Sequence, residues 1–152
     1  MLKIVIGCLI IVGFPTYGQV QDKEQIISVV DQLFAGMRQG DSVLVRQAFD
    51  SSAQLHTIGE NGLHTTPLKQ FLIAVGTPHD EVWDERVTEY EVRVDGPLAT
   101  VWTPYRFYRG ETFSHCGVNA FQLVRSKDEW KILQITDTRR EEGCKEGDSS
   151  GK

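Results

Sequence analysis

The side chains able to do chemistry gather in the second half of the chain. Trp102, Tyr105, Tyr108, His115, Cys116, Asn119 and Asp137 fall within one stretch that alternates apolar and polar residues. His115 and Asp137 have the potential for proton transfer. An imidazole exchanges a proton near neutral pH, and a carboxylate beside it can orient it or serve as a base. His115 shares strand parity with Asn119, Phe121 and Leu123, so a core behind Phe121 and Leu123 puts His115 and Asn119 in the same interior. The plainer reading is a core histidine bonded to a neighbour, because buried polar groups are normally satisfied. Asp137 has two readings of its own: a pocket carboxylate, or an ion pair with Arg139 or Arg140. A tight turn at Ser126–Asp128 places Asn119 opposite Thr136 and His115 opposite Arg140. A slip of one residue would change the face that Asp137 uses.

Other residues can complete a binding pocket around this pair. Phe34 and Met37 on the inner side of a first helix offer an apolar ceiling. His56 on an early strand could reach the same space, and Trp83 could close over its mouth. Trp102, Tyr105 and Tyr108 are further candidate contacts, since pockets are mostly apolar with a few polar groups. Tyr105 shares a face with Phe107, while Trp102, Arg106 and Tyr108 share the other unless Pro104 shifts the register. The four histidines, His56, His64, His79 and His115, show no metal-ligand spacing, and His64 and His79 fall in expected loops. No metal or cofactor is expected on this pattern. No serine sits in a nucleophile elbow, and Cys116 has the opposite parity to His115.

These residues need elements to position them. Gln21 to Gln39 reads as an amphipathic helix, with Ile26, Val29, Val30, Leu33, Phe34 and Met37 at three- and four-residue spacing. Asp41 caps a shorter helix through Phe49. Ser51 to Ile58 alternates as a strand and ends at an Asn61-Gly62 turn. Thr65 or Thr66 caps a third helix with Pro67 at its first position, and Gly76 closes it. Four strands follow at about Asp84–Val94, Leu98–Tyr108, Glu111–Arg125 and Glu129–Arg139, joined by turns rich in Gly, Asp and Ser. Pro104 marks an edge or a bulge. Helices first and a meander second is the α+β pattern, with three N-terminal helices packed on a strongly curved, mainly antiparallel sheet in the order α-α-β-α-β-β-β-β.

Residues 1–18 read as a signal peptide: Lys3, then an apolar run to Phe14, then Pro15, Thr16, Tyr17 and Gly18. The run is too short for a comfortable membrane span. A lipid box at Val5–Cys8 is discounted because the apolar run continues past Cys8. Residues 19–140 form the α+β domain and 141–152 a polar, Gly-rich tail. The expected destination is outside the cytosol, in the periplasm or the medium. There Cys116 and Cys144 could pair, stapling the tail to the sheet; the competing reading is two free thiols. A net charge of -5 without a basic cluster argues against nucleic acid and against a membrane surface.

The element order, together with the segments Thr100–Tyr108, Ser114–Val124 and Trp130–Arg139, resembles the nuclear-transport-factor-2-like superfamily, also called SnoaL-like or cystatin-like. These segments look like exported bacterial members of uncharacterised function, some of which are described as "putative lumazine-binding". The resemblance spans roughly residues 22 to 140 and implies a cone-shaped fold and a homodimer. It implies no reaction, because fold is not function. The ketosteroid-isomerase-like members carry a tyrosine on the first helix; here Phe34 and Met37 stand on its inner face, which argues against that chemistry. The expected function is a binding domain for a small, partly apolar molecule. The alternatives are an acid/base lyase or isomerase using His115 with Asp137 or His56, and a dimerisation or protein-docking module.

Overall fold

The computed structural model describes residues 17–144. The expected leader lies almost wholly outside the described residues, as does the tail beyond Cys144.

Helix α1 (Tyr17–Gln39) buries Ile26, Val30, Leu33, Phe34 and Met37 along one stripe. Gly40, at φ +66, takes the left-handed conformation that ends a helix. Asp41 then accepts from the Val43 and Leu44 amides, each at 2.9 Å, and so starts α2 (Ser42–Ala48). Strand β1 (Phe49–Gly59) turns at Glu60–Asn61 into β2 (Gly62–Pro67), which leads into α3 (Leu68–Gly76). Then come β3 (Trp83–Val87), β4 (Glu91–Asp95), β5 (Leu98–Arg109), β6 (Thr112–Ser126) and β7 (Glu129–Thr138).

The sheet order is β2-β1-β7-β6-β5-β3, with β4 also on β5, and every pairing is antiparallel except β1 with β7. Three helices on a curved, mostly antiparallel sheet are the α+β arrangement expected.

Two details differ from the sequence reading. Residues 62–67 form a strand: the tight turn folds them back along Gln54–Gly59, so Thr65 and Thr66 belong to β2 and helix α3 begins at Leu68. The expected strand Asp84–Val94 is two short strands, both on β5. Thr103 and Pro104 lie opposite the break between them. A proline has no N–H for a ladder and is tolerated where the ladder is interrupted.

The core lies between α1, the inner ends of α2 and α3, and the concave sheet face. Trp130, Phe121, Leu123, Ile132 and Val101 are fully buried against Ile26, Val30 and Leu33. Phe121 meets Phe34 edge-on at 6.2 Å between ring centroids, a favourable aromatic geometry.

Candidate functional site

Between the helices and the sheet lies a cavity of about 440 Å³. Phe34 and Met37 of α1, Phe71 of α3, and Trp83, Phe107 and Phe121 of the sheet form its apolar wall. Glu85, Tyr105, His115, Asn119 and Asp137 form a polar wall, and the exposed Arg109 and Arg139 also line it.

Strand register explains how these side chains meet. Glu85 of β3, Phe107 of β5 and His115 of β6 occupy one row across three strands. Thr103, Asn119, Asp137 and Thr57 form another row, across β5, β6, β7 and β1. Asp137 reaches that row because of a bulge. Gln122 pairs with Gln134, yet Leu123 pairs with Ile132, leaving Leu133 as the extra residue on β7. The bulge turns Trp130 and Ile132 inward on one side and Ile135 and Asp137 inward on the other. The expected register, with Asn119 opposite Thr136, is thereby corrected: Asn119 faces Asp137, and Arg140 bridges to Cys116 instead of His115.

Gly117 makes room for Tyr105. A Cβ there would lie 1.7 Å from the Thr138 carbonyl oxygen and 2.8 Å from the Tyr105 ring. The Tyr105 hydroxyl donates to that same carbonyl at 3.0 Å and approaches Asp137 Oδ2 at 3.3 Å. Thr57 Oγ1 donates to Asp137 Oδ1 at 2.6 Å, and Asn119 Nδ2 donates to Glu85 Oε1 at 2.7 Å. His115 stacks on Phe107 with centroids 4.9 Å apart, and its Nδ1 lies 3.0 Å from Ser114 Oγ.

This setting changes proton affinities. Burial, reinforced by the charge of Asp137 and opposed by Asn119 and Arg139, pushes the Glu85 carboxyl up to about 7. Burial, then the charges of Arg139 and Arg109, push His115 down to about 4. Burial also raises the Tyr105 hydroxyl. Near neutral pH the cavity therefore presents a neutral imidazole, a phenol and a carboxyl divided between its two forms. It can donate and accept hydrogen bonds and stack aromatic rings within one space.

The expected residues Phe34, Met37, His56, Trp83, Tyr105, His115, Asn119 and Asp137 all line this cavity. His56 sits at its edge, with Nδ1 2.9 Å from Thr65 Oγ1. Trp102 and Tyr108 do not line it. Burial along β5 alternates so that Ala99, Val101, Thr103, Tyr105 and Phe107 face inward, which sends Trp102 and Tyr108 to the outer face. There Trp102 is 52% exposed, and Tyr108 packs against Arg86 and Phe113. His79, read as a loop residue, stacks on Trp83 at 4.1 Å. Cys116 and Cys144 form a disulfide, with Cα atoms 5.8 Å apart.

Sequence reasoning missed Glu85 and Arg109, and named Arg139 only as an ion-pair partner of Asp137, from which it stands 4.0 Å. The signal for Glu85 was present in its alternation with Trp83 and Val87, which puts one charged residue on an inward face.

Residues 21–136 match the model of a family described as "Putative lumazine-binding". A search of curated proteins finds no match. Among solved structures, an NTF2-like protein of unknown function from Shewanella baltica superposes with a TM-score of 0.64 at 17% identity, covering 84% of this chain and 98% of that one. An NTF2-like protein with a cystatin-like fold from Novosphingobium aromaticivorans gives 0.68 at 13% identity, covering 82% and 85%. A "putative dehydratase from the NTF2-like family" of Streptomyces avermitilis gives 0.64 at 15% identity, covering 80% and 97%. At these identities the likeness carries the fold alone.

Proposed function

The chain belongs to the putative lumazine-binding family of NTF2-like proteins, and we propose that its cavity holds a small, planar, partly apolar molecule without transforming it. One observation carries this reading: an aromatic-walled space of about 440 Å³ also holds groups that donate and accept together. Its volume is in the range of small-molecule sites. A heteroaromatic ring with adjacent N–H and C=O groups complements those groups. Its N–H would donate to the Asp137 or Glu85 carboxylate, and its carbonyl would accept from protonated Glu85. The family's description names such a ring system and supports the choice.

The test is a thermal-unfolding titration with lumazine and with uncharged pterin, paired with ring-fluorescence quenching. A ligand that binds only the folded chain raises Tm with its concentration, and Asn119→Leu should abolish the rise. No response to any ring compound in such a series would end this reading.

A second reading is favoured by Glu85, whose carboxyl titrates near neutrality beside Asp137 in a largely desolvated site, the setting of a general acid/base. The reaction class would be a lyase or isomerase, using His115 with Asp137 or His56 as the sequence suggested. His115 is neutral there and would act as a base or a hydrogen-bond donor. Wash-in of deuterium from heavy water into a bound ligand's C–H, lost in Glu85→Gln, would establish it; binding without exchange would remove it.

The disulfide and the leader-like residues 1–18 support a place outside the cytosol, in periplasm or medium, which cell fractionation tests. The superfamily resemblance supports a homodimer, with Trp102, 52% exposed on the outer sheet face, as a candidate contact; a monomer at micromolar concentration in sedimentation would refute it.

A further inference from the structure

We propose that the mouth of the cavity is an anion subsite, where Arg109, Arg139 and the His115 imidazole take the carboxylate or phosphate group of the molecule whose ring fills the interior. This rests on the ligand-binding reading of the cavity given above.

Topology brings the three together. Strands β5 and β7 run in the same direction on either side of β6, so Arg109 at the end of β5 and Arg139 just past the end of β7 emerge at one end of the sheet. His115 lies on β6 between them, and all three line the cavity. After burial, the positive charges of both arginines help hold His115 neutral, so all three groups share one electrostatic environment.

Neither arginine is consumed by a close carboxylate. Arg38, Arg86, Arg93 and Arg125 lie 2.5–2.7 Å from their acidic partners. Arg139 hydrogen-bonds the Tyr105 hydroxyl and stands 4.0 Å from Asp137, whose oxygens already accept from Thr57 and Tyr105, so its only ion pair among the described residues is a long one. Arg109 makes no ion pair among the described residues.

Cation and carboxylate are neighbours in this wall. The Arg139 side chain is 53% exposed and that of Asp137, 4.0 Å away, is 14% exposed, so the cation is the more open of the two to an incoming anion. A ligand that matches both has N–H donors on its ring and an anionic substituent pointing outward. When the Ser114 hydroxyl donates to His115 Nδ1, the imidazole proton resides on Nε2 and can donate to that anion. Planar guanidinium groups suit either oxyanion, since carboxylate and phosphate both accept from their N–H fork.

Two measurements on the disulfide-intact protein test the subsite. In the first, inorganic phosphate is titrated while the His115 ring resonances are followed by NMR. The wild type should show a saturable shift that the R109Q/R139Q double variant lacks and Arg139→Lys retains. In the second, affinities for pterin-6-carboxylate and uncharged pterin are compared by fluorescence. The carboxylate should bind about tenfold tighter or more, with the preference lost in the double variant while pterin binding persists. No saturable phosphate shift in the wild type, an undiminished one in the double variant, or equal affinity for two pterins that both bind would overturn the subsite. Saturable phosphate binding without binding of either pterin would uphold the subsite and sink the heteroaromatic reading of the interior.

Discussion

Glu85 and His115 should give folding stability two pH dependences of opposite sign. Glu85 is held up to about 7 from an ordinary 4.5, with burial the main cause. Between those values the folded chain keeps a proton that the unfolded chain has released, so stability falls as pH rises. His115 is held down to about 4 from 6.5, again chiefly by burial. Between those values the unfolded chain binds a proton that the folded chain refuses, so stability rises with pH. Each group contributes about 1.4 kcal/mol per pH unit inside its window. The windows overlap from 4.5 to 6.5, where the two contributions cancel. Glu85→Gln removes the falling component, so relative to the wild type its stability should climb by about 2–3 kcal/mol across that span. His115→Gln should fall by a similar amount, and the double variant should again run parallel to the wild type. Asp50 and Asp84 are both held below 3.8 and titrate outside the window. Urea unfolding at half-unit pH steps with a constant m-value measures these differences. Single variants whose profiles run parallel to the wild type would refute the assigned environments of both residues.

Three further outcomes follow from the same geometry. Gly117→Ala should destabilise by about 3 kcal/mol or more, because its Cβ would meet the Thr138 carbonyl at 1.7 Å and β6 and β7 must part; a change below about 1 kcal/mol in urea would refute the close approach. Cys144→Ser should remove about 3 kcal/mol, as expected for a bridge spanning 28 residues, and speed hydrogen exchange at the Cys116 and Arg140 amides, which hydrogen-bond each other's carbonyls. Trp102→Lys should leave ring-ligand affinity within about twofold of wild type while dissociating the proposed dimer, as read by fluorescence titration and sedimentation.

Much of this fold was legible because its signals are periodic. The spacing of Ile26, Val30, Leu33 and Met37 marks one helix face, and the alternation from Leu98 to Phe107 marks a strand with two different faces. That alternation also separates Tyr105 from Trp102 and Tyr108, so the error over the last two lay in treating aromatic character as a substitute for direction. What was not legible arises from register and from contacts distant in sequence. Nothing near Leu133 announces that it will be the unpaired residue, yet that bulge decides the face of Asp137. Helix signals at Thr65–Pro67 compete with pairing to β1, and only the completed turn lets the strand win. Glu85 was hidden because a charged residue in a short strand is ordinarily solvated. Its interior place comes from Trp83 and Val87 on either side and from Asn119, which lies 34 positions away.

The division of the sheet explains why such a site can exist in a chain of this size. The half of the central strands that carries Val101, Phe121, Leu123, Trp130 and Ile132 closes on Ile26, Val30 and Leu33 with almost no polar side chain. The other half of the same strands carries Tyr105, His115, Asn119 and Asp137 and leaves the cavity open. Burial of a carboxyl and an imidazole disfavours folding unless partners offset it, and the raised Glu85 and lowered His115 show that the offset is partial. Above pH 7 this makes Glu85→Gln the sturdier chain, although it loses the group that gives the cavity its acidic depth. A group that opposes stability and has a dedicated partner in Asn119 supports the proposed binding role, because packing alone would favour an apolar residue between Trp83 and Val87.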